Sequence, residues 1–301
     1  MNKNFYAPVI LFTYRRLDTL KKVITNLQKN KLSNNTEIFI FSDGFKNSQD
    51  QKDVLSVRRY LTKIKNFKKI KIFYRKKNYG LAKNIIDGTS KILKLKKKGI
   101  ILEDDIIVSS NFLEFMNFCL NKFKDNKKIW HINAWNYSIN KSLTEKDIFY
   151  WRGMHCWGWA TWENRWCNFK KNPKKLIKIF SEKEKSIFNY DNCYDFWSQV
   201  KRNYEKKINT WAIFWYACIF KKKGLCISPK ESLTFNIGQD IYATHQMNSQ
   251  KIKINRNQKK FHRKKNFKFQ DKVEEDIFSY EQIKKHIKYN KIKNKFLNLI
   301  S

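Results

Sequence analysis

The chain has 301 residues, 42% hydrophobic and 16% aromatic, with 64 Lys and Arg against 26 Asp and Glu for a net charge of +38. That apolar content supports a real core and excludes a disordered chain despite the charge, and the length suits one large domain or two small ones. The longest apolar run, Trp211 to Phe220, is far short of the roughly 20 residues that a membrane span needs, and the six cysteines show neither CxxC pairs nor zinc spacing, which suits reduced thiols in a cytosol.

The first 125 residues alternate between two periodicities. "APVILFTY" (7–14) is a continuous apolar run suited to a buried strand, and the stretch up to it lacks the pattern of a cleaved leader. "LDTLKKVITNL" then sets Leu20, Val23, Ile24 and Leu27 on one helical stripe, with Asp18 in place as an N-cap. "EIFIFSDG" (37–44) predicts a second strand, "VLSVRRYLTKI" a helix, "IKIFYR" (70–75) a third strand and "GLAKNIIDGTSKILKL" a third helix. "GIILEDD" predicts a fourth strand, and apolar residues from Phe112 to Phe123 fall at helical spacing behind Asn111 and Glu114, which have the form of a capping box. Strands that are apolar throughout and alternate with helices imply an α/β fold, a mostly parallel sheet covered on both faces.

The second half is different in texture, with all ten tryptophans between Trp130 and Trp215. No repeat or Gly/Ser linker divides the chain. The expected organisation is one domain over 1–250 in two halves (1–125 and 126–250), then a basic tail over 251–301 with a helix at "EQIKKHIKYNKIK". Two explanations of the basic excess stand side by side. One is service to an anionic membrane or nucleic acid; the other is a coding bias that raises Lys, Asn and Ile together.

Three carboxylates, Glu103, Asp104 and Asp105, interrupt the fourth apolar run. In a parallel sheet ligands bind at the carboxyl ends of the strands, and the triplet stands there, as do Asp43 after the second strand and Arg15 and Arg16 after the first. Clustered hard oxygens suit Mn2+ or Mg2+ holding a diphosphate; the plainer reading is a solvated turn between strand and helix.

"APVILFTYRR", "FSDG", "NYGLAKNI" and "GIILEDDIIVSSNFLEFM", in this order, resemble the GT-A-fold nucleotide-sugar glycosyltransferases, closest to family-2-like bacterial sugar transferases and the N-acetylglucosaminyltransferases that use UDP-GlcNAc with inversion. "HCWGWATWENRW" and "NTWAIFWYACIFKKKGLCISPKESLTFNIGQDIYATH" resemble the acceptor half of the same bacterial group, so the likeness covers about residues 7–246. It implies that Asp105 binds the metal while Glu103 and Asp104 approach ribose and donor sugar. It also implies that Asp43 accepts a hydrogen bond from uracil, that Arg16 lies near base or diphosphate, and that Asn78, Gly80 and Asn84 belong to a segment closing over the nucleotide. His245 matches a histidine that many such enzymes use on metal or pyrophosphate; its plainer reading is a surface residue.

The family's catalytic aspartate follows a tryptophan where this chain has Trp211–Ala212, and alanine is no base. An inverting transfer still needs one. Asp240 ranks first and Asp195 second, with Glu163 and Glu205 also available. Trp157 and Trp159 are the candidates for stacking on an acceptor sugar, the other tryptophans being packing. The resulting expectation is a metal-dependent transferase that moves a sugar from a nucleotide donor, UDP foremost, to a glycan or lipid-linked acceptor in bacterial surface polysaccharide synthesis. Its expected place is the cytoplasm, with the inner face of the cytoplasmic membrane in reach of its basic surface. The alternatives are a nucleotidyl transferase, for which "FTYRRLDTL" lacks the glycine-rich phosphate loop, and a basic nucleic-acid-binding protein, for which no recognition framework is present.

Overall fold

Residues 6–137, 146–238 and 267–300 are described by a computed structural model of the chain. In chain order the elements are β1 (Val9–Thr13), α1 (Leu17–Gln28), β2 (Glu37–Ser42), α2 (Ser48–Leu61), β3 (Lys69–Tyr74), α3 (Leu81–Lys96), β4 (Lys98–Glu103), β5 (Ile106–Val108) and α4 (Phe112–Lys122). There follow β6 (Ile129–Asn133), β7 (Ile148–Trp151), β8 (Trp159–Trp162), α5 (Glu163–Trp166), α6 (Pro173–Ile179), α7 (Glu182–Phe188), α8 (Trp197–Tyr204), α9 (Ala212–Lys221), β9 (Leu225–Pro229), β10 (Thr234–Asn236) and α10 (Ile277–Ile300).

The eight-stranded sheet runs β3-β2-β1-β4-β8-β6-β9-β7. β1 pairs in parallel with β2 and β4, and β2 with β3, while β8 and β7 enter antiparallel. The expected α/β architecture is therefore present, as a mixed sheet in which β3, β2, β1 and β4 are parallel. Its strands are apolar throughout because both faces are covered. Val9 and Leu11 point into a core with α1 and α4, whereas Ile10 and Phe12 point into a second core with α3 and α9.

The chain winds from β1 outward to β3, then returns to lay β4 on the other side of β1. This reversal makes the carboxyl ends of β1 and β4 the switch point, the crevice where such sheets take ligands. Ile106–Val108 is a separate short strand, β5, paired antiparallel with β10. Glu103–Asp105 thus forms the corner between two sheets.

Several local expectations change. α1 begins at Leu17 with Arg16 at its N-cap, so Asp18 lies inside its first turn. Asn111 stands at the head of α4 but makes no side-chain cap; its Oδ1 accepts from Ser109 instead, at 2.7 Å. Part of the expected basic tail is built into the body. Phe267, Phe269 and Val273 pack on one core, Tyr280, Ile283 and Ile287 of α10 are buried in the other, and Arg152 donates to Glu275 at 2.8 Å. Cutting the chain after Gln250 would strip these apolar contacts as well as the charge. Residues 251–266 of that tail lie outside the described residues.

Candidate active site

β1 and β4 run in register, Phe12 opposite Glu103, so the residues just beyond their ends meet. Arg16 donates to Asp105 Oδ2 at 2.9 Å, with both side chains about 15% exposed or less. The backbone N–H of Tyr14 donates to Asp104 Oδ2 at 2.9 Å. The segment after β10 closes the corner: Ile237 N–H donates to the Asp105 carbonyl at 2.9 Å. A Cβ on Gly238 would lie 2.1 Å from Asp105 Oδ2, so a larger residue there would displace the Asp105 and Arg16 side chains.

The three carboxylates repel one another in a half-buried corner. Burial, and then the neighbouring Asp105 and Asp104, raise Glu103 well above the usual carboxylate range, against the pull of Arg16. Asp104 is pushed from 3.8 up to about 6, chiefly by burial and then by Asp105. Excess negative charge at a strand end fits a divalent cation. Among the described residues no group of three or more His, Cys, Asp or Glu could hold a metal alone. A hard cation that bridges to phosphate takes only one or two protein carboxylates, however, and Asp105 suits that part.

A pH dependence follows from these shifts. A carboxyl group whose folded pKa is raised favours the fold when protonated, so its contribution is full below the unfolded value and is lost as pH rises through the folded one. For Asp104 the window runs from 3.8 to about 6, worth at most about 3 kcal/mol. In metal-free buffer Asp104→Asn should flatten the pH dependence of the melting temperature across that window relative to wild type. An unchanged slope would show that Asp104 titrates as an ordinary carboxylate.

Asp43 lies at the end of β2, 4% exposed, as the sequence placed it, but its oxygens are occupied. Oδ1 accepts from Gly44 and Tyr79 N–H at 2.9 and 2.8 Å, and Oδ2 from Gly80 N–H at 3.0 Å. Its carboxylate fixes the loop after β3 and has three of its about four acceptor positions taken, so the uracil contact expected for it would fall to the position that remains. Burial raises its pKa and those three N–H bonds oppose the rise. Asn78 Nδ2 ties the same loop to the Gly44 carbonyl at 2.7 Å, and Gly80, at φ +69°, turns the chain into α3. Asn84 is buried and its Oδ1 accepts from Arg75 Nε at 3.1 Å, so it orients an arginine rather than facing a ligand.

The sequence reading missed these arginines. Arg58 donates to the carbonyls of Asp43 and Arg75, at 3.2 and 2.8 Å, and Arg75 lies 4.4 Å above the Tyr79 ring and pairs with Asp87. Their signal was a pair of arginines in the last turn of α2 and one closing β3, which a chain so rich in Lys and Arg conceals.

On the acceptor side the two tryptophans part. Trp159, on β8, is 1% exposed and lies sandwiched between His131 and Trp211, each 5.2 Å away, so it is core and offers no face to a sugar. Trp157 is half-buried, its ring edge-on to Trp135 at 4.9 Å, and Trp135 in turn meets Tyr137 and His155. This aromatic corner adjoins the carboxylates. The thiol of Cys156 is pushed up to about 12 by burial first and then by the Glu103 charge.

The described candidates for the base fail by position. Asp195 is exposed and caps α8, its Oδ1 accepting from Ser198 N–H at 3.1 Å, with nothing among the described residues linking it to the triplet. Glu163 N–H donates to the Lys97 carbonyl at 2.8 Å, at the amino end of β4, the opposite end from the triplet. Glu205 is exposed and pairs with Lys207. Ala212 opens α9 where the family's aspartate was sought. Asp240 and His245 lie outside the described residues.

Residues 89–151, from α3 through β4 and the triplet to β7, match the model of glycosyltransferase family 25, LPS biosynthesis proteins. No curated protein matches the chain. Among solved structures it is similar to the mannosyltransferase PcManGT from Pyrobaculum calidifontis in complex with GDP-Man and Mn2+, at 9% identity and a TM-score of 0.36, over 54% of this chain and 46% of that one. It is also similar to S. aureus TarS (13%, TM-score 0.32, 47% and 24%) and to GalNAc-T7 with UDP, GalNAc and Mn2+ (11%, TM-score 0.45, 78% and 44%). The chain spans less than half the length of each. The family match takes in β4, the carboxylate corner and α4.

Proposed function

We propose that the protein transfers a hexosyl or N-acetylhexosaminyl group from a UDP-sugar to a glycan or lipid-linked acceptor in surface polysaccharide synthesis, with inversion. The observation that carries the reading is the Glu103–Asp105 corner facing Arg16 at the switch point of the sheet. The loops pinned by Asp43, Asn78 and Arg58 would border the base. Arg16 holds Asp105 at 2.9 Å in the free protein and would turn to the diphosphate when the donor enters. Asp105 would then hold a divalent cation, which would neutralise the leaving diphosphate. Trp157 and its aromatic neighbours border the acceptor side. Asp240 is the proposed base, two residues beyond Gly238, which touches Asp105. His245 is the proposed second ligand.

Thermal-shift measurements against UDP-, GDP-, CMP- and dTDP-sugars, each with and without Mn2+, test this. A ligand at a hundredfold excess over its Kd stabilises by about 2.7 kcal/mol, roughly 4 °C in a chain of this size. The UDP-sugar with Mn2+ should give the largest shift. Equal responses to every nucleotide, or none, would remove the proposed donor.

A further inference from the structure

Helix α10 buries Tyr280, Ile283 and Ile287 against the body, and its opposite face is not plainly polar. Of the thirteen large hydrophobic residues exposed among the described residues, four lie on this helix: Ile277 (58%), Phe278 (46%), Tyr289 (64%) and Ile292 (56%). The rest are spread over many elements, as scattered surface apolar residues usually are. At 100° per residue, Phe278, Lys285, Tyr289 and Ile292 share one outward stripe. Lys285 and Lys288, both exposed, are interleaved with or flank the apolar side chains.

A protein interface disfavours lysine at its centre, and phosphate backbones make no use of exposed Phe and Ile. Apolar tips set among lysines fit an interfacial helix on anionic lipid, where both groups gain. The charge of the whole chain, +38, is complementary to such a surface. The inner side of the helix reaches the aromatic corner, with His286 5.8 Å from Tyr137. A helix is about 10 Å across, so that corner stands about one helix diameter from the outer face.

We infer that the outer face of α10 docks on an anionic phospholipid bilayer and holds the acceptor side of the molecule next to it. The docking stands independently of the donor site; only the orientation towards a lipid-linked acceptor rests on the proposed function.

Co-sedimentation of the full chain with phosphatidylcholine vesicles, with and without phosphatidylglycerol, tests it. Wild type should bind the anionic vesicles, more weakly as salt rises. Lys285→Gln with Lys288→Gln should weaken binding about 25-fold, since each lysine near the surface is worth about fivefold. Phe278→Ser with Ile292→Ser should weaken it at least about tenfold. All four side chains are exposed, so both variants should melt as wild type does. Unchanged vesicle affinity in both folded variants, or no preference for the anionic vesicles, overturns the inference. So does the outcome in which duplex DNA binds more tightly than the vesicles and loses affinity in the lysine variant. Loss of vesicle binding with an intact response to UDP-sugar, or the reverse, tells the two readings apart.

Discussion

Asp105→Asn is expected to abolish the stabilisation that UDP-sugar and Mn2+ give the wild type while barely moving the metal-free melting temperature. Two effects oppose each other in the free protein. The substitution removes one of three mutually repelling charges, which relieves Glu103 and Asp104. It also replaces the charged partner that Arg16 has at 2.9 Å with a neutral amide, where both side chains are largely buried, and weakening a buried ion pair is costly. A net change within about 1 kcal/mol is the result expected from terms of this size. With ligand nothing offsets the loss: asparagine is a poor ligand for a hard cation, and the whole binding increment, about 2.7 kcal/mol at a hundredfold excess, should disappear. Paired melting curves measure both. A variant that responds fully to UDP-sugar and Mn2+ would contradict the role given to Asp105.

Trp159→Ala should produce the largest loss of stability, about 3–5 kcal/mol by chemical denaturation, the usual range for emptying the site of a buried tryptophan. The ring is 1% exposed and fills the space between His131 and Trp211 in the acceptor-side core. Trp157→Ala should behave otherwise. Its ring is half-buried at the edge of the aromatic corner, so stability falls less while the KM for acceptor rises. If Trp159→Ala kept wild-type stability and lost acceptor binding, both tryptophans would belong to the acceptor site.

The first half of the fold was legible because its physics is simple. Strands buried on both faces read as unbroken apolar runs, and helices with one buried face show a 3.6-residue stripe. The second half follows no such order: β8 inserts between β4 and β6, and β9 between β6 and β7. Strands of four residues such as β7 and β8 carry too little pattern to place, and core and stacking tryptophans look alike in sequence. Trp157 and Trp159 flank one glycine, yet one is half-buried at the aromatic corner and the other is core.

The site was legible where strand ends alone fix position. Arg16 and Asp105 were singled out separately, and the parallel register of β1 and β4 makes them partners. Asp43 was placed correctly on the sheet, but its three N–H partners come from the turn at Gly44 and from the loop after β3, which no spacing within the chain reveals. The elimination of Asp195 and Glu163 is likewise tertiary, since only the direction of β4 puts Glu163 at its far end.

The most direct measurement is the position of Mn2+ in crystals grown with UDP-sugar, read from its anomalous scattering. The account predicts a peak about 2.2 Å from an Asp105 carboxylate oxygen, the usual range for hard cations on oxygen, bridged to the donor diphosphate, with Arg16 turned from Asp105 to the phosphates. Mn2+ and nucleotide bound elsewhere, with the Arg16–Asp105 pair intact, would contradict it.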